Sequence, residues 1–155
     1  KVIDCEGIES KKQSLIKDGE LNFYFNSLNS AKQIRHKPTG HANRSVSSLP
    51  SPSYSNLYME NGGEKRSKLI KSLKKGVIVT ELMGSSINYS NGDYSRGASG
   101  FWVENGEVKF PVSEITIAGN LNEMFKNLIA CDDLEFNFGA NAPSCLIENL
   151  TIGGK

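Results

Sequence analysis

Two Asn-Gly dipeptides, Asn91-Gly92 and Asn105-Gly106, most constrain what this chain can fold into. Two-residue hairpin loops need positive φ, which Asn and Gly tolerate better than other residues. The segments FWVE and EVKF on either side of the second dipeptide are patterned like strands with one face in a core. The sequence therefore predicts tight turns at both dipeptides and a β-hairpin around the second.

The same region contains two glycines, Gly97 and Gly100, that no turn explains. Glycine inside a strand weakens packing and costs backbone entropy on folding. Such a pair is typical of a β-bulge or of the close approach of another backbone. We expect one of these two features at RGASG.

The rest of the chain alternates strand patterns with turn residues. Asp18-Gly19 separates two extended runs, residues 27–34 favour a short helix, and the β-branched run at 76–84 predicts a buried strand. The best helical periodicity joins Leu121, Met124, Phe125, Leu128 and Ile129, with Asn120 as the N-cap. With about nine strands and three helices in this reading, we expect a mostly β, α+β fold. Its core would be an antiparallel curved sheet or a barrel-like domain with two or three short helices.

Length and charge narrow the function. A chain of 155 residues is the size of one domain, and a net charge of +1 provides no field to hold a polyanion, which argues against direct nucleic-acid binding. Cys5, Cys131 and Cys145 show no C-x-x-C spacing, so we expect reduced thiols and a cytoplasmic location. No apolar run is long enough for a membrane span, and the missing initiator Met suggests a piece of a longer polypeptide.

A basic segment surrounds Leu69, Ile70 and Leu73 on the second predicted helix, with cations at Lys65, Arg66, Lys68, Lys71, Lys74 and Lys75. We interpret it as a solvated helix face with a narrow apolar seam. A phosphate-binding patch is the alternative.

No complete catalytic set is present in the sequence. His36 and His41 are the two histidines, they lie in a loop pattern, and no carboxylate stands between them, so we predict no metal site. There is no G-x-S-x-G elbow and no glycine-rich phosphate loop. Arg96 either bonds Asp93 or turn carbonyls, or binds a peptide carboxylate or a partner carbonyl. His41 divides similarly: it either satisfies loop carbonyls or contacts a peptide or partner.

Four stretches carry a resemblance to a known family: KPTGHANRSVSSLPSPSYSNLYMENG, GVIVTELMG, NGDYSRGASGFWVENGEVKFPVSEITIAGNL and NAPSCLIENLTIGG. Together they resemble the carboxyl-terminal part of the TldD/PmbA metallopeptidase family, also called modulators of DNA gyrase. The resemblance covers essentially the whole chain. Within the family it is to the PmbA/TldE type of subunit rather than to TldD.

The resemblance implies a division of labour between two subunits. TldD-type chains carry zinc on a His-Glu-x-x-x-His helix and a later Cys, and neither motif is matched in residues 1–155. Residues 1–155 would then form a single domain, the C-terminal domain of a longer two-domain protein, and the metal-free, substrate-guiding portion of a cytosolic zinc-dependent peptidase. Zinc and the general base would come from a TldD-like partner, and the substrates would be short or unfolded peptides. Whether this chain is itself an enzyme, and whether it self-associates, stays open.

No catalytic residue and no metal ligand is carried over from the family. We expect substrate or partner contacts at His41, Asp93, Tyr94, Ser95, Arg96, Gly97 and Gly100. The alternative function is a non-catalytic regulatory module that modulates DNA gyrase or toxin–antitoxin systems.

Overall fold

The computed structural model describes residues 2–154. The chain divides into two compact units, Lys1–Leu57 with Phe138–Ala140 and Tyr58–Asn137 with Asn141–Lys155. Two short strands, β5 (Leu57–Tyr58) and β10 (Ala140–Asn141), each straddle the boundary between the units.

The first unit consists of short elements: β1 (Ile16–Lys17), β2 (Glu20–Leu21), α1 (Leu28–Gln33), β3 (Ala42–Asn43) and β4 (Ser51–Pro52). β1 and β2 form the hairpin predicted at Asp18-Gly19, and both turn residues have positive φ. α1 confirms the helix predicted for residues 27–34, because Ser27 caps it in a reciprocal capping box with Ser30. β3 and β4 form a second small antiparallel pair within the long connection.

The buried carboxylate of Asp4 organises the amino-terminal segment of this unit. Its Oδ1 accepts hydrogen bonds from the backbone N–H groups of Glu6 and Ile8, both at 2.9 Å. Its Oδ2 accepts one from the N–H of Ala42 at 3.1 Å. Bonds from a turn and from a distant strand to one carboxylate fix the register of the two segments.

The second unit is built on a four-stranded antiparallel sheet in the order β12-β8-β7-β6. Its strands are β6 (Lys75–Ile87), β7 (Asp93–Glu104), β8 (Glu107–Asn120) and β12 (Thr151–Gly153). The remaining elements are α2 (Arg66–Ser72), α3 (Leu121–Lys126), β9 (Leu128–Ala130) and β11 (Cys145–Ile147). The sheet is curved and not closed into a barrel, so the mostly β, α+β prediction is confirmed.

The apolar core of this unit is small. Ala98, Ile115 and Ile117 are its buried centre, and Val77, Tyr94, Val112 and Leu150 pack against them. The core therefore lies on one face of β7 and β8, near the middle of the sheet.

The turn at Asn105-Gly106 confirms its prediction, with φ of 51° and 77° at the two residues. It also contacts the end of α2. The N–H of Asn105 donates to the carbonyl of Lys74 and the N–H of Gly106 to that of Leu73, both at 2.8 Å. The turn thus supplies donors to carbonyls just beyond the last turn of the helix.

Several strand and helix boundaries differ from the sequence-based expectation. The turn before β7 is wider than a two-residue loop, because Asn88 and Gly92 close it with a 2.8 Å bond. α3 keeps the predicted Asn120 cap but ends at Lys126, and Leu128 and Ile129 pair in β9 with β11. The strand predicted as buried, β6, is an edge strand whose residues are half-buried or exposed.

The basic segment agrees with the solvated-face interpretation. Leu69, Ile70 and Leu73 are half-buried, whereas the six lysine and arginine residues around them are exposed. Lys68 pairs with Glu64 one helical turn earlier.

No helix within residues 2–154 combines the length and apolar character that crossing a membrane requires.

Candidate functional site

Six of the seven predicted contact residues lie on one strand, β7, in the second unit: Asp93, Tyr94, Ser95, Arg96, Gly97 and Gly100. The seventh, His41, lies in the first unit next to β3. β7 is paired along its whole length with β6 on one side and β8 on the other. A peptide can therefore meet these six residues over a face of the sheet, but cannot add to β7 as a new strand.

Asp93 belongs to an amide network at the end of the sheet. Its Oδ2 accepts a 2.7 Å hydrogen bond from the side chain of Asn91, and its N–H donates to Asn91 Oδ1 at 3.1 Å. The side chain of Asn120 donates to the carbonyl of Asn91 at 2.9 Å and also caps α3. These bonds hold the wide turn against the start of α3.

Arg96 does not bond Asp93, the first partner considered from the sequence. Its Nη2 donates to the carbonyl of Leu82 on the neighbouring strand β6 at 3.2 Å. Its Nε is buried and has no hydrogen-bond partner among residues 2–154. Arg96 therefore braces β6 while keeping one unused donor, which is a costly arrangement in the absence of a further acceptor.

The two unexplained glycines have different surroundings. A Cβ on Gly100 would overlap the carbonyl oxygen of Ile78 and lie 2.9 Å from its carbonyl carbon, at a point where the strand register shifts. A Cβ on Gly97 would meet Met83 at an ordinary 3.5 Å. The close approach expected at RGASG is therefore found at Gly100, and the approaching backbone is β6 of the same chain.

β6 supplies a feature that the sequence did not reveal. Within residues 2–154, β7 is its only paired neighbour, so the other side of a 13-residue strand is open. Val79, Leu82 and Met83 on this strand are each about two-fifths exposed. A long edge with exposed apolar side chains is a template for another extended chain. We call β6 and these three side chains the open edge.

His41 sits in an aromatic cluster of the first unit. Its ring lies 4.8 Å from that of Phe25 and 5.7 Å from that of Phe23, measured between centroids. Its Nδ1 is buried without a hydrogen-bond partner among the described residues, so this atom does not bond a loop carbonyl. Its backbone carbonyl accepts from the N–H of Ser53 at 2.7 Å.

The described residues do not fit a zinc ion. Nowhere in residues 2–154 do three or more His, Cys, Asp or Glu side chains converge as a metal site needs. Burial raises the pKa of the Cys131 thiol, and the nearby charges of Asp133 and Asp132 raise it further. Burial likewise raises the pKa of Cys145. Both thiols are thus biased towards the protonated form, which is a poor metal ligand.

Comparison with known proteins agrees with this architecture. Residues 1–154 match the family model described as the PmbA/TldA metallopeptidase C-terminal domain. Metalloprotease PmbA of Escherichia coli O157:H7 and a PmbA homolog of Haemophilus influenzae are each 39% identical over 153 residues, covering 98% of this chain and 32% of theirs. The crystal structure of TldE from Thermococcus kodakarensis superposes with a TM-score of 0.86 at 27% identity, over 99% of this chain and 36% of that one.

These matches identify the class of protein: the chain is an α+β domain of the kind that forms the carboxyl-terminal part of metallopeptidase chains. This chain belongs to the PmbA/TldA metallopeptidase family. It spans about a third of the length of the curated relatives that it matches.

Proposed function

We propose that this chain is a PmbA/TldE-like component of a cytosolic zinc-dependent peptidase that processes short or unfolded peptides. In this proposal residues 1–155 form a single domain, the C-terminal domain of a longer two-domain protein. The zinc ion resides in a TldD-like partner subunit. This chain guides the substrate and contributes no metal ligand.

The observation that carries the proposal is the open edge of β6 in a chain of this family. An unfolded polypeptide offers the same row of backbone donors and acceptors whatever its sequence. A strand that pairs through those groups binds extended peptides with little sequence preference. The 13 residues of β6 span about 43 Å at 3.3 Å per residue, which is longer than a short peptide needs.

The β7 residues support the edge from behind. Arg96 holds the carbonyl of Leu82, and Gly100 lets β6 approach β7 without a side chain between them. In the proposal, Asp93, Tyr94 and Ser95 border the end of the edge nearest the wide turn. His41 is proposed as a separate contact in the first unit.

The test uses the intact protein with and without a TldD-like subunit, and an unstructured fluorogenic peptide as substrate. We expect hydrolysis only when both subunits are present, and loss of hydrolysis on adding a chelator. Hydrolysis by the intact protein alone, insensitive to chelator, would show that the division of labour is wrong. Absence of hydrolysis from the pair would favour the regulatory-module alternative.

A second comparison isolates the open edge. Val79→Lys places a charge on β6, and charges on edge strands disfavour the addition of another strand. Phe101→Lys also replaces an apolar side chain that is about two-fifths exposed, but it lies on β7, which at this position pairs with β6 on one side and β8 on the other. We expect Val79→Lys to raise KM for the peptide and Phe101→Lys to leave it unchanged. Equal effects of the two variants would remove the edge from the proposal.

A further inference from the structure

A cleft of about 450 Å³ opens on the first unit. The side chains that matter for its chemistry are Lys11, Gln13, Phe23, Asn26, His36 and Lys37. None of these residues belongs to the sheet of the second unit. The cleft combines cations, two carboxamides and one aromatic ring.

Asn26 is the most informative residue in the cleft. It is 3% exposed, and its backbone is fully engaged with Thr39. The N–H of Asn26 donates to Thr39 Oγ1 at 2.9 Å, and that hydroxyl donates to the carbonyl of Asn26 at 3.4 Å. The side-chain carboxamide has no hydrogen-bond partner within residues 2–154. Its nitrogen and oxygen are not among the fully buried atoms without a partner, so they keep access to the cleft and are available to a ligand.

The charges of the cleft do not cancel. Lys11 pairs with Glu9 at 3.2 Å, which uses the one carboxylate on the cleft wall. Lys37 makes no ion pair among the described residues, so its ammonium is left to attract an anion. His36 adds a further donor beside it. The cleft thus favours a ligand with one negative charge.

A carboxamide and an ammonium at one site match a particular pair of chemical groups. A carboxamide both donates and accepts, so it pairs with the N–H and C=O groups of a peptide backbone. An ammonium binds a carboxylate as a point charge. These two groups occur together at the carboxyl-terminal end of a peptide.

We propose that this cleft binds the carboxyl-terminal end of a peptide. The terminal carboxylate pairs with Lys37, the last backbone amide bonds the carboxamides of Asn26 and Gln13, and the last side chain packs against Phe23. The proposal rests on the proposed function in one respect, that peptides are the ligands of this protein. It adds a site for peptide ends that is separate from the open edge.

The experiment measures binding of fluorescein-labelled alanyl-alanyl-leucine to the intact protein in the absence of any partner subunit. The matched probe is the same peptide with an amidated carboxyl terminus. Acetate serves as the competitor that carries the charge without the backbone amide. The variants are Lys37→Ala and Asn26→Ala, with Lys17→Ala as the control, since Lys17 is an exposed lysine of the same unit outside the cleft.

We expect the free-carboxyl peptide to bind at least about fivefold more tightly than the amidated one, which corresponds to about 1 kcal/mol for an exposed ion pair. Lys37→Ala should abolish this preference, whereas Lys17→Ala should keep it. Asn26→Ala should weaken both peptides about three- to tenfold, the loss expected for one or more hydrogen bonds. Because Asn26 is buried, its thermal midpoint is measured alongside, and Lys37→Ala carries the test if Asn26→Ala does not fold.

Three outcomes overturn the proposal: equal binding of the two peptides, a preference that survives Lys37→Ala, or acetate that displaces the probe as readily as the unlabelled free-carboxyl peptide does. The last result would mean that the cleft takes a free carboxylate and not a peptide end. Failure here is distinguishable from failure of the proposed function. If the cleft proposal fails, the parent chain with its partner still hydrolyses the peptide; if the peptidase function fails, carboxylate-selective binding to the intact protein remains.

Discussion

Replacing Gly100 with Ala gives the sharpest test of how β6 and β7 are joined. The new Cβ would overlap the Ile78 carbonyl oxygen and lie 3.1 Å from the Cα of Val79. Normal carbon contacts need about 3.5 Å or more, so β6 must move away by roughly 1 Å or more. Overpacking of this kind costs about 1–3 kcal/mol, and losing two ladder hydrogen bonds adds about 2 kcal/mol. We therefore expect β6 to open with about 3–5 kcal/mol less free energy.

Native-state hydrogen exchange of the intact protein measures this quantity strand by strand. A loss of about 3–5 kcal/mol corresponds to exchange of the β6 and β7 amides that is faster by about two to four orders of magnitude. Gly97→Ala is the matched control, because its Cβ would meet Met83 at 3.5 Å and its φ is ordinary. Its exchange should stay within about threefold of the parent, helped by the smaller entropy of the unfolded chain. Similar exchange in the two variants would refute the steric argument.

Three further predictions concern single side chains. Arg96→Met removes the buried Nε, which has no partner in the described part of the chain, and keeps the aliphatic part of the side chain. The free energy of unfolding should therefore stay within about 1 kcal/mol of that of the parent. Hydrolysis by the subunit pair should fall. Hydrogen bonds from the side chain and N–H of Ser144 lower the pKa of Asp133. The stability that this group contributes is therefore complete above about pH 4 and is lost as the pH falls through the lowered pKa. Asp133→Asn should make the melting temperature fall less steeply with pH on the acid side, measured by thermal melts at a series of pH values. Burial raises the pKa of Cys145, so its alkylation by iodoacetamide at pH 7 should be slower than that of a free thiol and should accelerate above about pH 9. Mass spectrometry measures the alkylation, and Cys145→Ser is the control.

Local signals predicted the elements that depend on local chemistry. The Asp18-Gly19 and Asn105-Gly106 turns, the Ser27 helix and the Asn120 cap were recognised because each depends on residues a few positions apart. The end of α3 was not, because the apolar period continues to Ile129. In the structure Leu128 leaves the helix and pairs, in β9, with Ile147 of β11, a contact between residues far apart in the chain.

The sequence also did not predict the order of the strands in the sheet. The β-branched run of β6 predicted burial, but a pattern of residue types does not say whether a strand lies at the centre or the edge of a sheet. The sequence indicated two shorter strands, EVKF and EITIAGN, in place of the single strand β8, because Pro111 lies between them. It continues through a register shift in which Glu114 takes a positive φ of 55°.

The candidate site was predicted in part. The close approach expected among the glycines is real at Gly100, and the contact roles given to the β7 residues and His41 stay predictions. The open edge of β6 and the cleft at Asn26 were missed, since both depend on which groups lack partners after folding. For Asn26 the sequence offers no signal, because the cleft that its carboxamide lines is made by residues from separate stretches of the first unit and exists only after folding.

The contact between the 105–106 turn and the end of α2 has a consequence for the time course of folding. β6, β7 and β8 follow one another through short turns, so this hairpin array closes with little loop entropy and is expected to form early. The carbonyls of Leu73 and Lys74 receive their donors only once that array exists. We therefore expect helix α2 to acquire its final boundary after the sheet that follows it in sequence, a reversal of the order in which the ribosome delivers them.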